Sequence, residues 1–274
     1  MTQPSITSLT NPRVKAAVRL RDRREREATG LTIVDGAREI LRAIDAGARV
    51  ESAFLAPDLV RTPDAVAAAD RVRDRPTTFE VSPAVLAKVA FGDRSDGIVA
   101  IVETPTLGLD ELGPRLPPDP LVVVVEGVEK PGNLGAVLRS ADGAGAAAVI
   151  AADPLTDPFN PNAIRASIGT IFTLPVVSAT SGETLDWLVG RGIRPLAAIV
   201  DSAMPYTAAD LTGPVAIVLG SEAGGLSEGW RVPAVTGVSI PMAGVADSLN
   251  VSIAASVLLY EAVRQRSVTT EGRH

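Results

Sequence analysis

Short apolar runs of strand length alternate with segments of helical period along most of the chain. In the first hundred residues LTIVDG, VESAFLA, TTFEVS and GIVAIVET read as strands, while AREILRAIDAG and SPAVLAKVA read as helices, which predicts a small α/β domain. Ser82 before Pro83 predicts a helix start, because a seryl hydroxyl accepts an orphan backbone N–H and proline fits the first turn. From Ile101 the pattern dissolves into IVETPTLGLDELGPRLPPDP, with five prolines and no sustained period. Residues 105–119 are therefore expected to form a proline-rich linker between a domain at 1–104 and another at 120–274.

Beyond that break the alternation sharpens. LVVVVEGV is apolar almost throughout, as in a strand buried on both faces. The helix pattern NLGAVLRSADGAGA follows, then strand AAVIAAD, helix PNAIRASIG, strand TLPVVSA, helix GETLDWLVGRG, strands PLAAIV, PVAIVLG and VTGVSIPM, and a closing helix SLNVSIAASVLLYEAVRQR. This order predicts an open, mostly parallel α/β sheet with helices on both faces. The closing helix carries Leu249, Ile253, Val257, Leu258 and Tyr260 around much of its circumference, so it is expected to be buried on more than one side, with a second subunit as one candidate cover.

Composition changes this picture by exclusion. The 274 residues include no cysteine, and the single histidine is His274. A Ser-His-Asp triad, a cysteine nucleophile, a Cys/His zinc site, haem ligation and iron–sulfur clusters are ruled out, leaving Arg, Lys, Ser, Asn, Asp and Glu for any chemistry. With neither a signal-peptide pattern nor an apolar run of spanning length, a cytoplasmic protein that does not enter a membrane is expected. The net charge of −6 is unevenly distributed: residues 1–100 hold 16 Lys/Arg against 14 Asp/Glu, and the remainder holds 10 against 18. Arg13, Lys15, Arg19, Arg21, Arg23, Arg24 and Arg26 form the one basic concentration, which reads either as an RNA contact or as a solvated helix face offset by Asp22, Glu25 and Glu27.

Gly143, Gly145 and Ala148 have the spacing of a dinucleotide fingerprint, but they end a helix and lead into a strand, the reverse of the context a pyrophosphate site requires. Three other segments place glycine and polar residues directly after buried strands, at the edge where open α/β sheets bind ligands. They are Glu126 to Arg139 (EGVEKPGNLGAVLR), Val218 to Leu226 (VLGSEAGGL) and Ser239 to Ser252 (SIPMAGVADSLNVS). Each residue also has a structural reading: glycine for turns, Asn133 and Ser248 as helix N-caps, Glu222 beside a helix start, Arg139 as a surface cation.

Taken together, NLGAVLRSADGAGA, VLGSEAGGLS and SIPMAGVADSLNVSIAASVLLYEAVRQR resemble the three ordered motifs of the SpoU/TrmH group of the SPOUT superfamily, over about Leu121 to Arg266. More weakly, NPRVK, LTIVDGAREI and SDGIVAIVETP resemble the substrate-binding domain that often precedes it, with Asp35 where glutamate is common. The resemblance implies an RNA ribose 2′-O-methyltransferase that uses S-adenosylmethionine and no metal. It also implies a trefoil-knotted catalytic α/β domain with a mostly parallel sheet, acting as a homodimer and preceded by a small α/β domain that holds RNA. Residue by residue it places the cofactor at Leu219, Gly220, Ile240, Met242, Ser248 and Leu249. The implied catalytic set is Arg139, Asn133, Glu222, Ser248 and Asn250, with Arg139 as its key member.

A guanidinium keeps its proton in proteins, so Arg139 serves better as a grip on the adjacent phosphate and on developing oxyanion charge than as a base. Candidate RNA contacts are Arg13, Lys15, Arg19, Arg23, Arg24, Arg38 and Arg165. The two-domain form points by analogy to 23S ribosomal RNA. Transfer RNA and a non-catalytic RNA-binding or ribosome-assembly role are the competing expectations.

Overall fold

The computed structural model describes residues 5–92, 96–222 and 224–271; His274, Ser95 and Ala223, which figure in the sequence reading, lie outside them. The chain divides into two compact units, Met1–Pro105 with Phe159–Thr173, and Thr106–Pro158 with Leu174–His274.

The first unit follows the order β1 (Ser5–Ile6), α1 (Pro12–Arg19), α2 (Arg23–Thr29), β2 (Leu31–Val34), α3 (Ala37–Asp45), β3 (Val50–Leu55), α4 (Pro63–Arg73), β4 (Thr78–Val81), α5 (Pro83–Val89) and β5 (Ile98–Glu103). Its five strands make one mixed sheet in the order β1-β4-β3-β5-β2, with β5 antiparallel to both neighbours. Asn11, Asp22, Thr62 and Ser82 cap α1, α2, α4 and α5 through their side chains. Ile33, Phe54, Phe79, Leu86 and Val99 share the core with Val14 of α1. The helix α4 has weak amphipathic contrast because its buried residues are mainly alanines, Ala65, Ala68 and Ala69.

The second unit begins inside the segment expected to be a linker. Leu109–Leu112 form the short helix α6, followed by a 3₁₀ turn; Leu112 is fully buried in the core of this unit, and Leu107, Leu109 and Leu116 pack against the same core. The Glu111 carboxylate accepts from the Gly108 N–H at 2.9 Å, closing the helix start. The prolines here shape a packed segment, and the leucines between them are what hold it down. Then come β6 (Leu121–Glu126), α7 (Pro131–Gly143), β7 (Ala148–Ala152), an excursion containing α8 (Pro161–Ala166), β8 (Val176–Ala179), α9 (Ser181–Gly190), β9 (Arg194–Ala198), β10 (Val215–Leu219), β11 (Thr236–Val238) and α10 (Val251–Glu271).

These six strands form an entirely parallel sheet in the order β11-β9-β10-β6-β7-β8. From β6 the chain runs outward to β8, then crosses to lay β9, β10 and β11 on the other side of β6, so the loops that follow them gather at one carboxyl edge. All six residues of β6 are buried, as its valine run requires. Gly145 (φ +70°) ends the turn after α7, so the glycines of the false fingerprint do close a helix.

The helix α10 lies against α7, with Ser140 and Ser256 hydroxyls 2.8 Å apart and the missing side chain of Gly143 leaving room for the Tyr260 hydroxyl. Ala255, Leu258, Leu259 and Ala262 of α10 are buried. Burial on more than one side does not hold within the chain: Ile253 and Tyr260 stay 52% and 54% exposed.

The excursion between β7 and β8, Phe159–Thr173, clusters with the first unit, although the sequence places it within 120–274. There the Thr32 hydroxyl donates to the Phe159 carbonyl at 2.7 Å, and the Arg42 guanidinium donates to the carbonyl of Ile168. Gly169 (φ +81°) has Glu39 Cα 2.9 Å from where a Cβ would sit, so the excursion needs glycine at this contact.

Candidate active site at the carboxyl edge of the parallel sheet

Three loops of the second unit enclose a cavity of about 360 Å³, within the size range of small-molecule sites. Leu219, Gly220 and Glu222 enter it from the loop after β10, and Ile240, Met242, Ser248 and Leu249 from the segment between β11 and α10. All six cofactor candidates therefore converge on one space. The loop after β10 is closed by paired backbone hydrogen bonds between Ser221 and Gly225, both 3.0 Å. A Cβ on Gly220 would stand 2.1 Å from the Gly225 carbonyl carbon, so only glycine lets the strand end and the returning loop pass this closely.

The polar candidates form a chain beside the cavity. The Asn133 side-chain amide donates to the Glu222 carboxylate, and Asn250 Nδ2 donates to Asn133 Oδ1 at 3.4 Å. Asn250 Oδ1 in turn accepts from the Ser252 N–H at 2.9 Å, which makes Asn250 the cap of α10. Two capping expectations thus change. Asn133 sits inside the first turn of α7, after Lys130 as its cap, and Ser248 lies two residues before the capping position of α10. Their side chains are free for the site because proline at 131 and Asn250 already start the helices. Glu222 lies on the loop, not beside a helix start.

Arg139, two turns along α7 from Asn133, is exposed and makes no hydrogen bond or ion pair among the described residues. It does not line the cavity. A guanidinium with no partner among the described residues is available to an external anion.

The SpoU rRNA Methylase family matches residues 120–260, and the MRM3-like substrate binding domain matches residues 11–100. The chain belongs to the SpoU rRNA methylase family. It is 42% identical over 183 residues to the 23S rRNA (guanosine-2'-O-)-methyltransferase RlmB of Ralstonia nicotianae, covering 66% of this chain and 74% of that protein. With the 23S rRNA (uridine(2479)-2'-O)-methyltransferase of Streptomyces viridochromogenes it shares 34% identity over 239 residues, 84% and 71% of the two chains. A crystal structure of an RNA 2'-O ribose methyltransferase superposes with a TM-score of 0.83 at 42% identity, covering 95% of this chain and 98% of that one. The SpoU methyltransferase AviRb from Streptomyces viridochromogenes, solved in complex with the cofactor AdoMet, gives 0.82 at 33% identity over 93% and 98%.

In this SpoU methylase several cavity residues escaped the sequence reading. Ile199, Val200 and Asp201 after β9, and Arg231, line the cavity as well, with Arg231 Nη2 3.3 Å from Asp201 Oδ1. The run PLAAIVD looks like an ordinary strand and its end. Only the pairing of β9 between β10 and β11 brings it to the site.

The candidate RNA contacts on the first unit divide sharply. The Arg13 guanidinium lies 4.7 Å from the Phe79 ring centroid, Arg19 pairs with Glu25 at 3.1 Å, Arg23 with Glu27 at 2.6 Å and Arg38 with Asp64 at 3.6 Å. Arg21 donates to the Lys88 and Ala90 carbonyls, and the buried Arg26 to those of Leu20 and Arg21. Lys15 and the Arg24 guanidinium have no partner among the described residues. Arg165 donates to Asp35 at 2.7 Å, and Asp35, 6% exposed, also accepts from the Phe91 and Gly92 N–H groups.

Proposed function

We propose that this chain is an S-adenosylmethionine-dependent ribose 2′-O-methyltransferase acting on 23S ribosomal RNA as a cytoplasmic homodimer. The observation that carries the reading is the convergence of Gly220, Ile240 and Leu249 on one cavity, with the Glu222–Asn133–Asn250 chain beside it. The cavity fits the cofactor: it is of small-molecule size, and Gly220 brings bare backbone to its wall. When bound there, S-adenosylmethionine supplies an electrophilic methyl group on a sulfonium.

The residues of the chain then bind, orient and stabilise. Asn133 and Asn250 orient the ribose, and Ser248 holds ribose or cofactor at the loop. Arg139 grips the phosphate beside the reacting nucleotide and stabilises the negative charge that develops on the 2′-oxygen as its hydroxyl loses the proton. The 2′-proton passes to that phosphate or to water, because a guanidinium is not a base at this pH.

The first unit holds the RNA, with Lys15 and Arg24 as the candidate cations that have no side-chain partner among the described residues and Arg13, Arg19, Arg23 and Arg38 available by exchange of weak surface partners. Arg165 joins them only by leaving Asp35. The exposed Ile253 and Tyr260 on α10 support a second subunit against that helix.

The test is transfer of labelled methyl from S-adenosylmethionine into bacterial ribosomal RNA, followed by alkaline hydrolysis. Label in an alkali-resistant dinucleotide of 23S RNA is the expected result. Label only in transfer RNA would move the substrate, and no label with intact cofactor binding would favour the non-catalytic reading.

A further inference from the structure

Glu126 ends β6 with a carboxylate that is 7% exposed and makes no ion pair among the described residues. Three neutral donors surround it: Oε1 accepts from the Ser181 hydroxyl at 2.6 Å and the Ser227 hydroxyl at 2.7 Å, and Oε2 accepts from the Ser227 N–H at 2.7 Å. Burial pushes its pKa up, but the donors of Ser181 and Ser227, with the Trp230 indole, outweigh burial and hold it below the usual carboxylate range. A buried charge without a cation is costly unless its lone pairs are filled, so the arrangement asks what those bonds secure.

They secure the loop after β10. Ser227 is the foot of that loop, two residues beyond Gly225, and Gly220, Ser221, Glu222, Gly224, Gly225 and Leu226 line the cavity. At the adjoining Gly127 (φ +61°) a Cβ would stand 3.5 Å from the Ser221 Cβ, an ordinary contact distance, so the end of β6 lies close to that side chain. The end of β6 therefore lies beside the loop near its start, at Ser221, and holds it by hydrogen bonds at its end, at Ser227. Between those two points the loop carries Glu222 to Asn133.

We infer that Glu126 is a positioning residue for the cofactor: by fixing Ser227 it sets the loop that forms the cavity wall. This rests on the proposed use of S-adenosylmethionine. A neutral amide cannot replace the carboxylate, because it accepts through one oxygen and turns its NH₂ donors toward a serine hydroxyl or the Ser227 N–H.

The experiment is calorimetric titration of S-adenosylmethionine into the whole protein and its Glu126→Gln and Ser227→Ala variants, with steady-state kinetics and thermal melts alongside. Glu126→Gln is expected to raise the Kd and the KM for the cofactor about tenfold or more, while kcat at saturating cofactor stays within a few-fold. Ser227→Ala, which keeps the backbone donor, is expected to raise Kd by a smaller factor. An unchanged Kd in both variants overturns the inference. So does a merely structural pattern, in which kcat falls as much as affinity and both follow the melting temperature. If Glu126→Gln does not fold, Ser227→Ala alone decides, and an unchanged Kd overturns the inference. Failure of the wild-type protein to bind S-adenosylmethionine would sink the cofactor reading itself, a distinct result.

Discussion

The two units place their polar residues at strand ends in opposite ways. In the first, the carboxylate after β2 is consumed: Asp35 accepts from Phe91, Gly92 and Arg165, and Arg21 and Arg26 likewise cap backbone carbonyls. In the second, the loops after β9, β10 and β11 leave a cavity between them, and the loop after β10 brings Gly220, Gly224 and Gly225 to its wall. Charge along the sequence is thus a poor guide to an open site, because a charged group brought to a protein's edge finds an internal partner wherever one is in reach. Bare backbone at a parallel sheet's carboxyl edge is a better guide.

Gly220→Ala breaks the comparison on the side of the cavity. With a Cβ 2.1 Å from a backbone carbon, the loop must shift, and cofactor affinity should fall by about a hundredfold, an order set by several lost contacts at 1.4 kcal/mol per tenfold; titration of S-adenosylmethionine measures it. On the other side, Arg165→Ala leaves Asp35 with two backbone donors and no cation. Because Arg165 is 35% exposed, the cost should be about 2 kcal/mol, below the range for fully buried pairs, seen as a lowered denaturation midpoint with cofactor affinity unchanged.

Charge reversal of Lys15 and Arg24 together should weaken RNA binding about tenfold at low salt and flatten its salt dependence by about two phosphate contacts, with no change in stability, measured by filter binding across salt concentrations. Equal loss of stability would show these two cations to be structural like Arg26.

The smallest effect concerns pH. Glu39 has its pKa raised, first by burial and then by Asp35 and Asp96 against the lowering pull of its own backbone and Arg38. A raised carboxylate is most favourable to folding below its unfolded pKa, and that stability is lost as pH rises through the folded value. Glu126, with its pKa lowered, behaves inversely and contributes above its unfolded value until acid reaches the folded one. Hydrogen exchange should therefore show α3 loosening slightly between acid and neutral pH, and Glu39→Gln should remove that slope.

Much of this architecture is legible in the sequence. The valine run of β6, the alternating segments after it and the three glycine-rich strand ends give the parallel sheet and the cavity residues, because period and burial are local properties. What escapes is what depends on partners far along the chain. Leu112 makes a core segment out of a proline-rich stretch, and α8 joins the first unit through Arg165 and Phe159. Asp201 reaches the cavity only because β9 lies between β10 and β11. The helix α4 is obscured by alanine, which carries little contrast between its faces.

The division of cofactor and RNA between the two units is read most directly from the hydrogen-exchange footprint of the whole protein with S-adenosylmethionine and, separately, with a 23S RNA fragment. The account predicts that the cofactor protects 219–226 and 240–250 and leaves α1, α2 and α3 unchanged, while RNA protects α1 and α2. Cofactor protection on the first unit, or none at the loops after β10 and β11, would contradict it.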